Sequence, residues 1–231
     1  MFGRSAAYYD ELYAFKDYPT EAAKLVTLVE ARVPAARTLL DVGCGTGKHL
    51  AALRDRFDVI GAELDDGLRQ IAADRLPGVP LVGADMIALE LGRTFDVVCC
   101  LFGSIGYART HANVIRAICA MAKHLADGGL LVVEPWLAPD VYRTGVPHLL
   151  VVDRPERKIV RANTSARDGD VSILDFHYLV ATPDGVQSFR ERHELVMLDD
   201  AQYRQAFAAA GLVVEHDAAG VNGRGLYIAR R

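Results

Sequence analysis

The stretch that decides the fold is "LLDVGCGTGKHL", residues 39 to 50. It begins as an apolar run, reaches an acid at Asp41, and then places Gly43, Gly45 and Gly47 before a helix-like pattern. This order predicts a strand, a tight turn and a helix, and glycines in such a turn allow a ligand to approach the backbone closely. The turn alone could also bind nothing, so other residues must decide whether a ligand is present.

Two phosphate-binding motifs fail at this turn. The dinucleotide fingerprint G-x-G-x-x-G fits Gly43 and Gly45 but requires a glycine where the chain has Lys48. The nucleotide-binding loop G-x-x-x-x-G-K-[ST] requires a glycine at Val42 and a hydroxyl residue at His49. If the turn binds a ligand, the remaining possibility is one whose pyrophosphate, if any, is not held by this turn.

The rest of the chain predicts an α/β fold. Apolar strands alternate with amphipathic helices up to about residue 134, which is typical of a parallel sheet covered on both faces. Ligands bind such sheets beyond the carboxyl ends of the strands. After Pro135, period-two runs such as "VSILDFHYLVA" predict three or four antiparallel strands, and a helix and two strands follow. We expect a Rossmann-like, doubly wound, mostly parallel sheet with an antiparallel β layer inserted after strand five. Residues 1–231 then form one domain, with 137–197 as an inserted lid or interface subdomain.

Composition and charge narrow the classes of binding partner that we expect. A net charge of −4 disfavours nucleic acid or an acidic membrane as the main partner, because phosphate binding usually leaves a basic footprint. The four cysteines form no C-x-x-C pair and predict buried, reduced thiols in a cytoplasmic protein, without a metal site. The first residues lack the apolar segment of a signal peptide. We expect a small-molecule substrate, and the extra antiparallel layer could supply a homodimer interface.

The pattern D-x-G-x-G-x-G resembles motif I of the class I S-adenosylmethionine-dependent methyltransferases. Two further strand ends support it. The predicted strand within "DVIGAELD", residues 58–65, ends on Glu63, and the predicted strand within "LVGADM" ends on Asp85 and Met86. The resemblance implies that Asp41 receives the methionine ammonium, Glu63 the ribose and Asp85 the adenine amino group. The alternatives are a solvated acid at Glu63 and a helix cap at Asp85. The resemblance extends to "FDVVCCLFGSIGY", and the remaining cofactor-binding candidates are Tyr18, Cys44, Leu64, Leu101, Phe102 and Ser104.

A narrower resemblance concerns the substrate. "YYDELYAFKDYPTEA", "SIGY", "VVEPW" and "GRGLYIA" are similar to the N,N-dimethyltransferases of nucleotide-linked amino deoxysugars. Those enzymes commonly have Ala at Gly43 and His at Tyr107. The resemblance implies S-adenosylmethionine-dependent methylation of a small-molecule amine, with a nucleotide-linked amino deoxysugar as the expected acceptor. The alternatives are an O-methyltransferase of natural products and a non-catalytic cofactor-binding module.

Methyl transfer to a free amine needs the nitrogen lone pair to lie in line with the sulfonium methyl. Positioning of the two reactants can therefore supply much of the reduction in the activation barrier. Because we find no His–carboxylate pair near the expected methyl, we predict no single essential base. The residues expected near the methyl as catalytic candidates are Tyr18, Tyr107 and Glu134. Substrate-binding candidates are Tyr13, Trp136, Arg161, His177 and Arg224. The alternatives are a core position for Tyr13, a solvated strand face for Arg161 and a half-buried structural role for His177.

Overall fold

The computed structural model describes residues 3–231, and its strands divide between two sheets. Seven strands form the main sheet in the order β10-β11-β5-β4-β1-β2-β3, and four form a second sheet in the order β6-β7-β8-β9. The strands are β1 Thr38–Val42, β2 Asp58–Ala62, β3 Leu81–Val82, β4 Phe95–Cys100, β5 Leu125–Val133, β6 Pro147–Arg154, β7 Arg157–Asp168, β8 Val171–Thr182, β9 Gly185–Val196, β10 Val213–Asp217 and β11 Leu226–Arg230.

Helices cover both faces of the main sheet. They are α1 Tyr9–Leu12, α2 Tyr18–Arg32, α3 Lys48–Leu53, α4 Asp66–Arg75, α5 His111–Lys123 and α6 Asp200–Ala209, with 3-10 turns at Arg4–Tyr8, Met86–Ala88 and Ser104–Ala108. Helix α6 begins with the capping box that "DDAQ" predicts: Asp199 accepts the backbone N–H of Gln202, and the Gln202 side chain accepts that of Asp199.

Strand order reverses beside β1. Strand β1 pairs in parallel with β2 on one side and with β4 on the other. The chain therefore passes from β1 to β2 on one side and later returns to β4 on the other side of β1. This reversal opens a crevice beyond the carboxyl ends of β1 and β4. The glycine turn follows β1 directly, so the crevice lies where the sequence predicts a ligand.

Strand β5 begins earlier than predicted. The apolar run "LLVVE" predicts a strand over residues 130–134, but pairing with β4 already begins at Leu125, opposite Phe95. The register then shifts before Val97 pairs with Leu130, and Gly128 has a φ of +74°. An irregular stretch with a left-handed glycine has no period-two pattern, so periodicity does not predict a strand there.

The antiparallel sheet has its own apolar layer. Leu12 of α1 packs in one buried cluster with Ile159 and Phe176, and Tyr8 and Tyr13 pack against that cluster. The inner face of this sheet is therefore covered by the first residues of the chain, which sit between the two sheets. Among residues 3–231, none of the helices is long and apolar enough to cross a membrane.

Candidate active site

A cavity of about 810 Å³ opens between the two sheets. One wall is formed by the glycine turn and the ends of β2 and β4, and the opposite wall by β7 and β8 of the antiparallel sheet. The first helix forms part of its rim. Of the residues predicted for the site, those lining the cavity are Tyr13, Gly43, Gly45, Glu63, Leu64, Asp85, Met86, Phe102, Ser104, Tyr107, Trp136, Arg161 and Arg224.

The glycine turn exposes backbone to this cavity. Gly43 and Gly45 have φ values of +73° and +58°, which side chains rarely adopt. The N–H of Gly43 donates to the Ala62 carbonyl at 2.7 Å, so β2 holds the turn. A Cβ built on Gly45 would meet no atom within 4 Å, so the space beside it is open to a ligand.

Glu63 is fixed at the end of β2. Its Oε2 accepts the N–H of Gly45 at 2.9 Å, and its Oε1 accepts the N–H of Asp65 at 2.8 Å. Only 6% of the residue is exposed, and burial raises the pKa of its carboxyl group. Each oxygen can accept a further hydrogen bond, so the carboxylate is held rigidly while keeping capacity for a ligand with two hydroxyls.

Asp41 lies behind the turn and is almost fully buried. Its Oδ1 accepts from the Cys99 thiol at 3.6 Å, but no hydrogen bond reaches its buried Oδ2 within the described chain. Burial raises the pKa of Asp41 to about 6, because the carboxylate loses the solvation that water would give it. An acceptor in this state is suited to a cationic or hydrogen-bonding partner.

Asp85 caps a short helix and also lines the cavity. Its Oδ1 caps the short helix after β3 by accepting the N–H of Ile87 at 2.9 Å. The same residue lines the cavity beside Met86 and the half-exposed Leu64. The capping bond orients the carboxylate and leaves its second oxygen for a donor on a ligand.

Four cofactor candidates do not line the cavity: Tyr18, Asp41, Cys44 and Leu101. Cys44 and Leu101 are 8% and 4% exposed and pack in the core on one side of the main sheet. Their neighbours Phe102 and Ser104 do line the cavity, and Phe102 has a φ of +56°. Cys44 and Leu101 therefore support the turns rather than form the wall, because the turns direct alternate residues inward.

Glu134 is also removed from the surface. It is fully buried, with Oε2 accepting the N–H of Phe102 at 2.8 Å and Oε1 accepting from the Asn222 amide at 2.9 Å. A guanidinium nitrogen of Arg224 lies 4.0 Å from Oε1. The expectation that Glu134 acts near the methyl is corrected: both its oxygens are used to hold the Phe102 turn and the Arg224 loop.

The two predicted tyrosines near the N-terminus have different positions. Tyr18 begins α2, is buried, and packs edge-on against the His49 ring with centroids 4.9 Å apart; it does not line the cavity. Tyr13 does line it, and its ring meets Phe102 edge-on at 5.5 Å. Tyr18 packs instead against α3, where the Lys48 ammonium also lies 5.4 Å from the centroid of its ring.

Two arginines reach the cavity from opposite sides. The Arg161 guanidinium lies over the rings of Phe176 and Tyr13, at 4.4 and 5.4 Å. The Arg224 guanidinium lies over Phe102 and Trp136, at 4.8 and 5.3 Å. Aromatic faces hold both planes without neutralising their charge, but Glu134, 4.0 Å from Arg224, partly offsets the charge of that guanidinium. Arg161 is therefore the better candidate to bind an anion in a bidentate way.

His177 is not part of this cavity. It lies on β8 directly after Phe176, and successive residues of a strand point to opposite faces. Phe176 faces the cavity, so His177 is exposed on the outer face, in a separate depression with Val160 and Arg190. The expected substrate contact is therefore wrong, because the sequence could not say which face of the layer turns inward.

A different histidine, His193, contacts a residue that lines the cavity. Nδ1 of His193, on β9, lies 2.9 Å from the hydroxyl of Tyr107, and its Nε2 lies 3.7 Å from Oε2 of Glu191. We predicted no His–carboxylate pair near the expected methyl, and His193 and Glu191 form such a pair behind the cavity wall, in contact with Tyr107. The alternation of "RERHEL" puts Glu191 and His193 on one face, and that spacing was the signal available in the sequence.

Comparison with known proteins agrees with this geometry. A family model described as a methyltransferase domain matches residues 14–217. A curated relative from Streptomyces venezuelae, dTDP-3-amino-3,4,6-trideoxy-alpha-D-glucopyranose N,N-dimethyltransferase, is 40% identical over 92% of this chain and 91% of its own. Another, from Saccharopolyspora spinosa, is dTDP-4-amino-2,3,4,6-tetradeoxy-D-glucose N,N-dimethyltransferase, 38% identical over 96% and 91%.

Solved structures give the same result. A sugar N-methyltransferase from Streptoalloteichus superposes with a TM-score of 0.90 at 42% identity, covering 95% of this chain and 90% of that one. An S-adenosylmethionine-bound amino pentose methyltransferase from Micromonospora echinaspora gives 0.88 at 38% identity, covering 100% and 98%. The match spans the parallel sheet, the glycine turn and the antiparallel layer alike, and the chain belongs to the methyltransferase domain family.

Proposed function

We propose that this protein transfers methyl groups from S-adenosylmethionine to the amine of a nucleotide-linked amino deoxysugar. The observation that carries the proposal is the division of the cavity. Carboxylates lie at the glycine-turn end, where Glu63 and Asp85 reach it, and Arg161 reaches it from β7 of the antiparallel sheet. Arg224 reaches it from the loop between β10 and β11. One end suits hydroxyl and amino donors, and the other suits an anion.

The carboxylate end fits the methyl donor. S-adenosylmethionine supplies a methyl group on a cationic sulfonium. The buried Oδ2 of Asp41 is suited to its ammonium, directly or through a water molecule, and Glu63 can accept both ribose hydroxyls. Asp85 and Met86 provide an acceptor and an apolar surface for the adenine. The aromatic side chains at the centre of the cavity, Tyr13 and Phe102, offer π faces to the sulfonium.

The arginine end fits a substrate that carries phosphate. Arg161 lies on β7 with Asn163 and Ser165 at the same face, and all three line the cavity. A guanidinium forms two parallel hydrogen bonds to a phosphate, whereas a neutral amino sugar would give it no partner. The names of the relatives support the same substrate class, since two of them act on dTDP-linked amino sugars.

The reaction requires little of the protein beyond alignment. The amine lone pair forms the new bond to carbon while the carbon–sulfur bond breaks and its electrons remain on sulfur. The nitrogen then carries an extra proton, which it loses to solvent or buffer before a second transfer. Holding the amine in line with the methyl supplies the rate, and side chains that hydrogen-bond the amine set its direction.

The test is incubation with labelled S-adenosylmethionine and a panel of nucleotide-linked amino sugars, free amino sugars and their hydroxyl counterparts, with masses read on the products. We expect products heavier by one and two methyl groups from the nucleotide-linked amines. Arg161→Gln should raise KM for those substrates about tenfold or more, as expected for a charge-assisted contact, with little effect on free amino sugars. Arg192→Gln, on the exposed face of β9, is the control. Methylation of the hydroxyl counterparts alone would favour the O-methyltransferase alternative.

We also propose a homodimer, formed through the outer face of the antiparallel sheet. Val151, Val160 and Leu179 are cross-strand neighbours there, and Val151 and Leu179 are 58% and 48% exposed. Leu149 and Val186 extend the apolar area at 69% and 67% exposure. Light scattering after size exclusion should give twice the chain mass, and Leu179→Glu should give the monomer mass with the fold intact. A monomeric wild-type protein would contradict this proposal.

A further inference from the structure

The bond between Tyr107 and His193 joins the two halves of the molecule. Tyr107 lies in the 3-10 turn that follows β4, and His193 lies on β9 of the antiparallel sheet. The oxygen of Tyr107 and Nδ1 of His193 are 2.9 Å apart, and Tyr107 lines the cavity. His193 is only 2% exposed. The pair is therefore protected from water on the histidine side and open to ligand on the tyrosine side.

The surroundings of His193 determine which nitrogen carries the proton. Oε2 of Glu191 lies 3.7 Å from Nε2, and the Glu191 carboxylate is itself held by the N–H of Ser5 at 2.9 Å. The Phe176 ring packs at 5.3 Å, and the Arg161 guanidinium is a further positive charge facing the histidine. Burial lowers the pKa of His193, so the imidazole is neutral at neutral pH. The carboxylate beside Nε2 favours the proton there, which leaves Nδ1 as an acceptor.

An acceptor at Nδ1 fixes the phenol. The hydroxyl of Tyr107 has one proton, and burial raises its pKa, so the proton remains on the oxygen. Tyr13, Tyr178, Glu63 and Glu191 are the titratable groups that add to this effect, each by disfavouring a negative charge on the phenol. With its proton directed to His193, the phenol offers lone pairs to the cavity rather than a donor.

We infer that His193 is a positioning residue that makes Tyr107 a hydrogen-bond acceptor for the N–H of the substrate amine, so that the amine lone pair points at the transferable methyl. This inference rests on the proposed function. A primary amine and a secondary methylamine each have an N–H for this bond, whereas a neutral dimethylamine has none. The same contact therefore serves the first and second transfers and gives no help to a third.

The first test needs no substrate. In the full-length protein with ¹⁵N-labelled histidine, long-range proton–nitrogen spectra report the tautomer of each ring, and His193→Leu identifies the His193 signals. We expect His193 to be neutral with its proton on Nε2 over about pH 5.5 to 8, where an ordinary histidine titrates. Tyr107→Phe should shift the Nδ1 resonance to that of a free acceptor. A proton on Nδ1, or a titration at the ordinary histidine value, would overturn the inference.

The second test uses the coupling between the two residues. Tyr107→Phe and His193→Leu should each lower kcat/KM for the amine about tenfold, and the double variant should be no worse, because either change removes the same oriented phenol. His193→Asn keeps an acceptor near the position of Nδ1 and should retain most activity. Additive losses in the double variant, or a loss in His193→Asn equal to that in His193→Leu, would contradict the inference.

Controls separate this inference from the proposed function. Tyr227→Phe removes a phenol that stacks on Tyr203, hydrogen-bonds Asp200 and does not line the cavity, and it should leave activity unchanged. If His193→Leu does not fold, the histidine spectra of wild type and Tyr107→Phe and the His193→Asn kinetics still decide the inference. Failure of the wild-type enzyme on every amine would reject the proposed function, while the spectra would still report whether the Tyr107–His193 bond exists.

Discussion

The two sheets contribute to the site in different ways. The parallel sheet presents residues at strand ends, such as Glu63 after β2 and the glycine turn after β1. The antiparallel sheet presents one face along its strands, with Arg161 on β7 and Phe176 on β8. Strand ends of a parallel sheet meet at one edge whatever their details, but the residues on a sheet face depend on register and on what covers that face.

This difference also concerns stability. The parallel sheet is covered by its own helices, whereas the inner face of the antiparallel sheet depends on Tyr8, Leu12 and Tyr13 from the start of the chain. Residues 4–16 therefore belong to both regions. They carry aromatic side chains into the cavity and, with Glu11 paired to Arg157 of β7, hold the antiparallel sheet in place.

The largest effect is expected when the antiparallel sheet is isolated. We predict that residues 137–197 expressed alone show no cooperative unfolding transition, because the fragment lacks the N-terminal residues that cover its apolar face. Thermal melts followed by circular dichroism check this, with the full chain as the control. A cooperative melt would show that 137–197 is an independent domain rather than an inserted subdomain.

In the parallel-sheet region, we expect the buried carboxylate of Asp41 to lower the stability of the folded protein at neutral pH. Its pKa is raised in the folded protein to about 6 from 3.8, so the folded state binds the proton more tightly and stability falls as pH rises between these values. Asp41→Asn should therefore raise the free energy of unfolding at pH 7 by about 2–3 kcal/mol and have little effect near pH 3.5. Urea unfolding at both pH values measures this.

The same substitution should weaken the binding of the methyl donor. A cationic ammonium favours the ionised carboxylate, so wild-type affinity should fall as pH drops below about 6, where Asp41 becomes protonated. Calorimetry at pH 5 and 7.5 should show this dependence in the wild type and its loss in Asp41→Asn. An unchanged affinity in the variant at pH 7.5 would remove Asp41 from the donor site.

Glu63→Ala should weaken binding of S-adenosylmethionine by roughly 1–3 kcal/mol. The change removes the acceptor for the ribose and also leaves the N–H groups of Gly45 and Asp65 without their partner. Glu215→Ala, which removes an exposed carboxylate paired with Arg32, is the matched control. Equal affinities for both variants by calorimetry would show that Glu63 does not contact the donor.

The smallest effect is expected at Tyr18. Its ring packs on His49 outside the cavity, so Tyr18→Phe should lower kcat about tenfold or less, below the loss typical of a general base. Tyr18→Leu should lower the melting temperature, because the ring itself is buried. A loss of several orders of magnitude in Tyr18→Phe, with both ligands still bound, would show a dedicated base and end the positioning model.

Much of the parallel-sheet region could be predicted from the sequence. The glycine turn, Glu63 and Asp85 lie where the strand pattern puts them, since each follows an apolar run that can only be a buried strand. The roles of their neighbours were harder to predict. Glu134 also ends a strand, yet its carboxylate turns into the protein to hold Phe102 and Asn222. A strand pattern gives the position of a residue but not the direction in which a loop carries its side chain.

By itself the sequence determined the α/β architecture, the glycine turn and the existence of an antiparallel insertion. These features depend on local periodicity and on glycines at positions of positive φ, which other residues rarely adopt. The tertiary structure alone decided that Arg161 faces the cavity, that His177 does not, and that His193 meets Tyr107. These outcomes depend on which face of the antiparallel sheet packs inward, and a shift of one residue reverses every side chain on a strand. Period-two alternation gives two equivalent faces, and only the packing of Leu12 and the parallel sheet against one of them removes that equivalence.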